Sequence, residues 1–406
     1  MAHEDIAHEI QDRVTDSYQI DPEFWSRTRN AFAFVALVSW LAVIAGYFTE
    51  PARFFQSYLF AFLSVMFIPL GAMFFNMTGY LTGAAWSVPM RRIAENIMMV
   101  IPAGFLLFIP VLAGIPYLYE WSHTEVVAKD ALLLAKSSWL NPTAFAVRAF
   151  IYFSIWSILA WRIFANSTKQ DKTRSLDQMH AMSKWSAPGL LLTFLTVTLA
   201  AFDWSMSLDP HWYSTIFGIY CFAGGGLTFM CVWTLICLWF RDNKILANTI
   251  RIEHYHDLGK WMFALTIFWA YIAFSQYLLI WYANLPEETI WFRNRFEGTW
   301  GWVSAAILFG HFAVPFFVLI PRASKRNPVI LRFMASWLLS FQLLDWYWQV
   351  MPNFSRGGVA PHWLDFACLA AVGSVAGLAF WSRLRSHALL PVGDPRFEQG
   401  LNFQNI

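Results

Sequence analysis

The chain has 406 residues, 58% hydrophobic and 13% charged, well off the soluble-protein averages of about 45–50% and about 25%. Its net charge of +2 is too small to imply a nucleic-acid partner. Its 23 Trp and 39 Phe suit side chains that face lipid or sit at a membrane interface.

Residues 4–18 come first, with Ile6, Ile10 and Val14 spaced i, i+4 among charges. That pattern suits an amphipathic helix on a membrane surface or a partner, or equally a frayed tail, within a terminal segment 1–29. The first apolar run begins near Asn30 behind partly acidic residues, so it is expected to be a retained span and not a signal peptide.

A helix needs about 20 apolar residues to cross the hydrocarbon. Ten segments qualify, at approximately 30–48, 55–79, 93–118, 142–165, 185–203, 214–240, 258–283, 300–320, 331–351 and 362–382. All must be helical, because lipid leaves the backbone groups of an open strand unsatisfied. The expected fold is an all-α integral membrane protein.

An even number of spans puts both termini on one side. That side carries 21 Lys and Arg. The other carries 7, namely Arg53, Lys129, Lys136, Arg148, Arg293, Arg295 and Arg356. The positive-inside rule makes the terminal side cytoplasmic. Residues 119–141 form the longest connection on the outer side, with a surface helix expected from Val126, Val127 and Leu132–Leu134.

Pro69 with Gly71, Pro102 with Gly104, Pro110, Pro188 and Pro315 can kink their spans and free carbonyls. Gly224–Gly226 allow close helix contact. Cys221, Cys231, Cys237 and Cys368 all fall in apolar segments without a C-x-x-C, and read as small core or lipid-facing residues.

Ionisable groups inside spans are costly and usually face a bundle interior or a cavity. Arg148 lies one to two turns inside the fourth span. Asp203 ends the fifth, with Asp209 and His211 in the following turn. His311 is near the middle of the eighth, Asp345 in the outer third of the ninth, and His362 and Asp365 open the tenth. An acid or imidazole here could accept a proton from a quinol or pass one along a relay. Equally, Asp203 and Asp209 could cap the turn and the sixth helix while Arg148 pairs with a carboxylate.

On the terminal side Glu253, His254, His256, Asp257 and Lys260 open the seventh span, and Glu95 opens the third. Asp257 suits a helix N-terminus by dipole alone; the functional alternative is proton uptake. Tyr271 and Ser275 share a face of the seventh span, beside Gln276. A path from the inner cluster past these to His311 and Asp345 is the expectation to be tested. Only His311 lies deep, so a bis-histidine haem is not expected, nor is any other redox centre in this chain.

Three phrases carry a family resemblance: Asp203–Gly218 (DWSMSLDPHWYSTIFG), His256–Lys260 (HDLGK) with Phe274–Tyr277 (FSQY), and Ile280–Glu288 (IWYANLPEE). They resemble the F subunit of bacterial alternative complex III, the quinol:cytochrome c oxidoreductase built around NrfD-like membrane proteins. The resemblance extends over nearly the whole chain. It implies two four-helix bundles, here spans 3–6 (93–240) and 7–10 (258–382), with spans 1–2 (30–92) peripheral and a tail at 383–406. It further implies a sister NrfD-like subunit, an iron–sulfur protein and haem c subunits as partners in a bacterial inner membrane. Iron–sulfur clusters and haem c would then belong to those partners, and this subunit would be a scaffold and candidate proton conductor. Two alternatives stay open: a quinol-binding NrfD-like subunit of another iron–sulfur oxidoreductase, and a secondary transporter. No inverted pair of broken helices supports the transporter.

Overall fold

The computed structural model describes residues 20–405, so the segment 4–18 lies outside the described residues. Among the described residues there are ten helices long and apolar enough to cross a membrane, and no strand. They are α1 (Pro22–Thr49), α2 (Pro51–Thr82), α3 (Val88–Ala113), α4 (Pro142–Thr173), α5 (Leu176–Leu208), α6 (Phe217–Asp242), α7 (Ile252–Ala283), α8 (Trp300–Leu319), α9 (Pro328–Asn353) and α10 (Trp363–Leu384). The chain is an all-α, multi-pass membrane protein. Most helices run past their apolar stretch because polar caps sit further out. Asp21 accepts from the Glu23 and Phe24 amides at the start of α1, and Asn141 from that of Ala144 at the start of α4.

Proline shapes two spans. Helical segments along α3 begin at Ile101-Pro102 and Ile109-Pro110, and the chain turns on through Ile115-Pro116. A missing N–H releases carbonyls each time, and the Tyr58 hydroxyl takes up that of Leu107 at 2.8 Å. In α8, residues Ile307–Ala313 form a π-helix just before Pro315. There the Trp337 indole donates to the freed Gly310 carbonyl at 2.7 Å.

The spans form two groups of four. In one, α2 packs on α3 and α5, and α4 on α3 and α5; in the other, α6 packs on α7 and α9, with α8 between them. The groups join along α2 and α6, the two most enclosed spans. α1 and α10 pair with each other, and α10 rests on α2. The grouping is therefore α2–α5 and α6–α9, one span earlier than expected, and the second span is central, not peripheral. Hydropathy could not reveal this, since an apolar side chain reads the same against lipid or against protein. Close approach explains the placement: a Cβ on Gly71 of α2 would meet the Gly225 carbonyl of α6 at 2.7 Å.

Each group ends on the same device. Asp203-Trp204 closes α5 and Asp345-Trp346 stands near the end of α9, each followed by a 3-10 turn, Met206–Leu208 and Met351–Asn353. Both indoles pack on α2, Trp204 against Phe62 and Trp346 against Phe67. With four spans per group, the two halves run in the same direction.

Surface helices add to the face opposite the termini. Thr124–Val127 and Ala131–Lys136 lie in the long connection. Pro286–Phe296, not anticipated from sequence, lies between α7 and α8. On the terminal face the tail folds back, burying Leu389, Leu390 and Phe397.

Candidate proton-handling site

Two buried aspartates face different surroundings. Asp203 meets charge: Arg148 donates to it through Nε at 2.8 Å and Nη2 at 2.9 Å. The Tyr152 hydroxyl and the Trp139 indole add bonds of 2.9 and 3.0 Å. The guanidinium also lies 4.2 Å from the Trp139 ring centroid. This is a satisfied ion pair, the structural alternative open at the sequence level.

Asp345 meets only neutral donors. The Tyr220 hydroxyl of α6 donates to Oδ1, while Gln342 and Gln349 donate to Oδ2 at 2.9 Å each. Among the described residues no cation lies within salt-bridge distance of it, although it is 1% exposed. Gln342 and Gln349 stand three before and four after Asp345 and so share its helix face. Gln342 also interacts with His311.

The π-helix turns His311 into the group. Its ring is fully buried, 4.0 Å from the Trp269 ring centroid and edge-on to it. His311 interacts with Gln342 and Trp269 with the Asp345 carboxylate, but neither contact has hydrogen-bond geometry, and the Gln342 Oε1 atom is likewise unpartnered. Buried polar groups without partners cost about 1–3 kcal/mol each. Arg295 closes the end away from the termini by donating to the carbonyls of Trp348 at 3.1 Å and Gln349 at 2.8 Å.

The remaining candidates lie elsewhere. His211 bonds Asp130 at 2.6 Å on the surface. Asp209 accepts no side-chain cap bond from α6 but receives the Trp212 amide on its carbonyl. Tyr271 is 64% exposed and lines a cavity between α7 and α8, Ser275 is half-buried and Gln276 is buried. On the terminal face Asp257 pairs with Lys260, and Glu253 with Arg326 at 2.6 Å. His254 bonds the Gly400 carbonyl at 3.0 Å, and His256 is buried with Nδ1 unpartnered. Between this cluster and Trp269 the buried face of α7 offers Met262 and Thr266, whose hydroxyl is bonded to the Met262 carbonyl. Among the described residues, the Tyr271 and Ser275 side chains make no hydrogen bond to either cluster.

Asp365 is held by Arg53 at 2.6 Å and Ser57 at 2.6 Å. Glu95 is held by Tyr80, by Ser167 at 2.8 Å and by Arg91 and Arg92. The cysteines are buried and free. Sequence reasoning missed Tyr220, Gln342, Gln349 and Trp269. The glutamine spacing was readable; the approach of α6 and α7 was not.

Beside the cluster a cavity of about 720 Å³ opens between α7 and α8. Its wall is aromatic, including Phe274, Tyr277, Phe292 and Phe312, and Tyr220 with Trp269 forms part of it. Among the described residues no charged side chain lines it. The sequence matches no protein-family model and no curated protein.

Proposed function

We propose that this chain is an integral membrane subunit of a quinol-oxidising electron-transfer complex, of the alternative complex III type, and that its α6–α9 group handles protons. The observation that carries the proton role is the Asp345 cluster: a carboxyl and an imidazole, both buried and without counter-ions among the described residues, flank Gln342, which is hydrogen-bonded to the carboxyl and near the imidazole. Such groups are costly inside a membrane and mark relays. The paired Asp203 is scaffold by the same criterion.

Membership of the complex rests on the phrases Asp203–Gly218, His256–Lys260 and Ile280–Glu288. Its partners would be a sister NrfD-like subunit, an iron–sulfur protein and haem c subunits, which would carry the redox centres. The basic excess of the terminal side supports placing that side in the cytoplasm of a bacterium.

The test is mild-detergent purification from the native membrane, with mass spectrometry and an optical spectrum. Haem c and iron–sulfur subunits co-purifying with quinol oxidation are the expected result. A colourless protein without partners would overturn it.

A second reading draws support from the lateral cavity. Its neutral aromatic wall and Tyr220 at its back suit the ring of a quinol entering from lipid, which would make this subunit itself quinol-binding. The transporter reading has no inverted pair of broken helices behind it, although two groups repeating in the same direction also occur among transporters.

A further inference from the structure

The terminal ends of α1 and α10 are locked together by indoles. Trp25 Nε1 donates to the Trp381 carbonyl at 3.1 Å, and Trp381 Nε1 donates to the Trp25 carbonyl at 2.9 Å. Phe24 and Trp239 pack behind, with ring centroids 5.8 and 5.2 Å from Trp381. This makes a rigid aromatic platform at the level where Trp marks membrane interfaces. Beyond it α1 is outward-facing and apolar, with Phe34, Leu37, Leu41 and Phe48 exposed.

Two cations converge on this platform. The Arg29 guanidinium lies 4.7 Å from the Trp25 ring centroid and that of Arg385 lies 4.8 Å from it. They are thus within about one Debye length of each other, ~10 Å at 0.1 M salt. Both residues are exposed. Arg29 donates to its neighbour Asn30 at 3.1 and 3.3 Å. Among the described residues neither guanidinium has a carboxylate within salt-bridge distance. Two like charges held against one indole repel, and an anion at the edge of the platform would offset that repulsion.

We propose that Trp25, Arg29 and Arg385 form a binding site for the phosphate of an anionic phospholipid, whose chains lie along the apolar face of α1. The guanidinium pair holds the phosphodiester, the indole supports the glycerol region, and the exposed apolar residues of α1 receive the chains. A free phosphate would use the same two cations but not the apolar face. The site is independent of the Asp345 cluster and of the proposed function.

The full chain, purified in mild detergent, is titrated with phosphatidylglycerol, phosphatidylcholine or sodium phosphate and read by native mass spectrometry. Phosphatidylglycerol is expected to bind in preference to phosphatidylcholine. Arg29→Gln or Arg385→Gln should weaken it about fivefold and the double variant about thirtyfold, as about 1 kcal/mol per basic residue implies. The Arg29→Lys/Arg385→Lys variant controls for folding and should keep the preference. Equal binding of the two lipids, or a double Gln variant that binds as the wild type does, overturns the proposal. Inorganic phosphate competing as strongly as the lipid would assign the site to a free anion instead and overturn the lipid reading. So would loss of a co-purifying acidic protein from the double variant with lipid binding unchanged.

Discussion

Asp203 and Asp345 are both followed by Trp, and both sit near the end of a span, yet they predict opposite experiments. Asp203→Asn removes the charge that Arg148 answers, leaving a largely buried guanidinium without its partner. It should destabilise the chain by about 3–5 kcal/mol, the cost of breaking a buried pair. Asp345→Asn removes no partner's counter-charge and replaces a carboxyl with a neutral group of like shape. It should cost about 1 kcal/mol from rearranged hydrogen bonds, while stopping proton transfer. Thermal unfolding in detergent and a pH-dye assay in proteoliposomes of the whole complex separate the two. Equal loss of stability in both variants would remove the distinction. The sequence showed two membrane aspartates; which was answered by Arg148 depended on how α4 meets α5.

On the terminal face Asp394 joins the tail to the bundle through Arg91 at 2.7 Å, and within the tail it also pairs with Arg396 at 2.9 Å. Burial raises its pKa, but the two guanidiniums outweigh burial and hold it well below the ordinary carboxylate range. A depressed folded-state pKa means the stabilisation is full above the unfolded value, about 3.9. It is lost as pH falls from there towards the folded value. Hydrogen exchange over Phe397–Leu401 should therefore quicken only below about pH 4, and Asp394→Asn should remove that step. Exchange that is flat across the acid range in the wild type would contradict this.

At the scale of elements, small residues and prolines decide how helices meet. Gly71 has no room for a Cβ, with the Gly225 carbonyl at 2.7 Å and Phe229 Cβ at 2.9 Å. Backbone cannot step aside as a side-chain tip can, so Gly71→Ala should cost about 1–3 kcal/mol by overpacking. A thermal midpoint equal to the wild type would mean that α2 and α6 move apart freely. Gly310 differs, because its Cβ would meet the Phe341 ring, a side chain that can rotate. The breaks in regular helix near Pro102, Pro110 and Pro315 were readable from sequence, whereas Pro69 and Pro188 sit inside unbroken helices. The π-helix that aims His311 inward was not readable, because it also needs Trp337 from α9 to accept the duty of bonding Gly310.

For the molecule as a whole, Asp209, His211 and the surface helix Pro286–Phe296 lie on the face opposite the folded tail. Single cysteines placed at Asp209 and at Arg174 should react with impermeant reagents from opposite sides of sealed vesicles. Reaction of both from one side would contradict a transmembrane arrangement. The tail ties the two groups at one end: Asp394 bonds α3 through Arg91, while Asn405 bonds Glu253 and Lys260 of α7.

Ten apolar stretches, their helical state and the sorting of basic residues between two faces were determined by sequence alone, because lipid thickness and backbone hydrogen bonding admit few solutions. Tertiary structure decided which spans are central, which aspartate is paired and which histidine is left without a partner. Apolar residues look alike whether they meet lipid or another helix, and an ion pair across two spans depends on helix rotation, which no single span encodes.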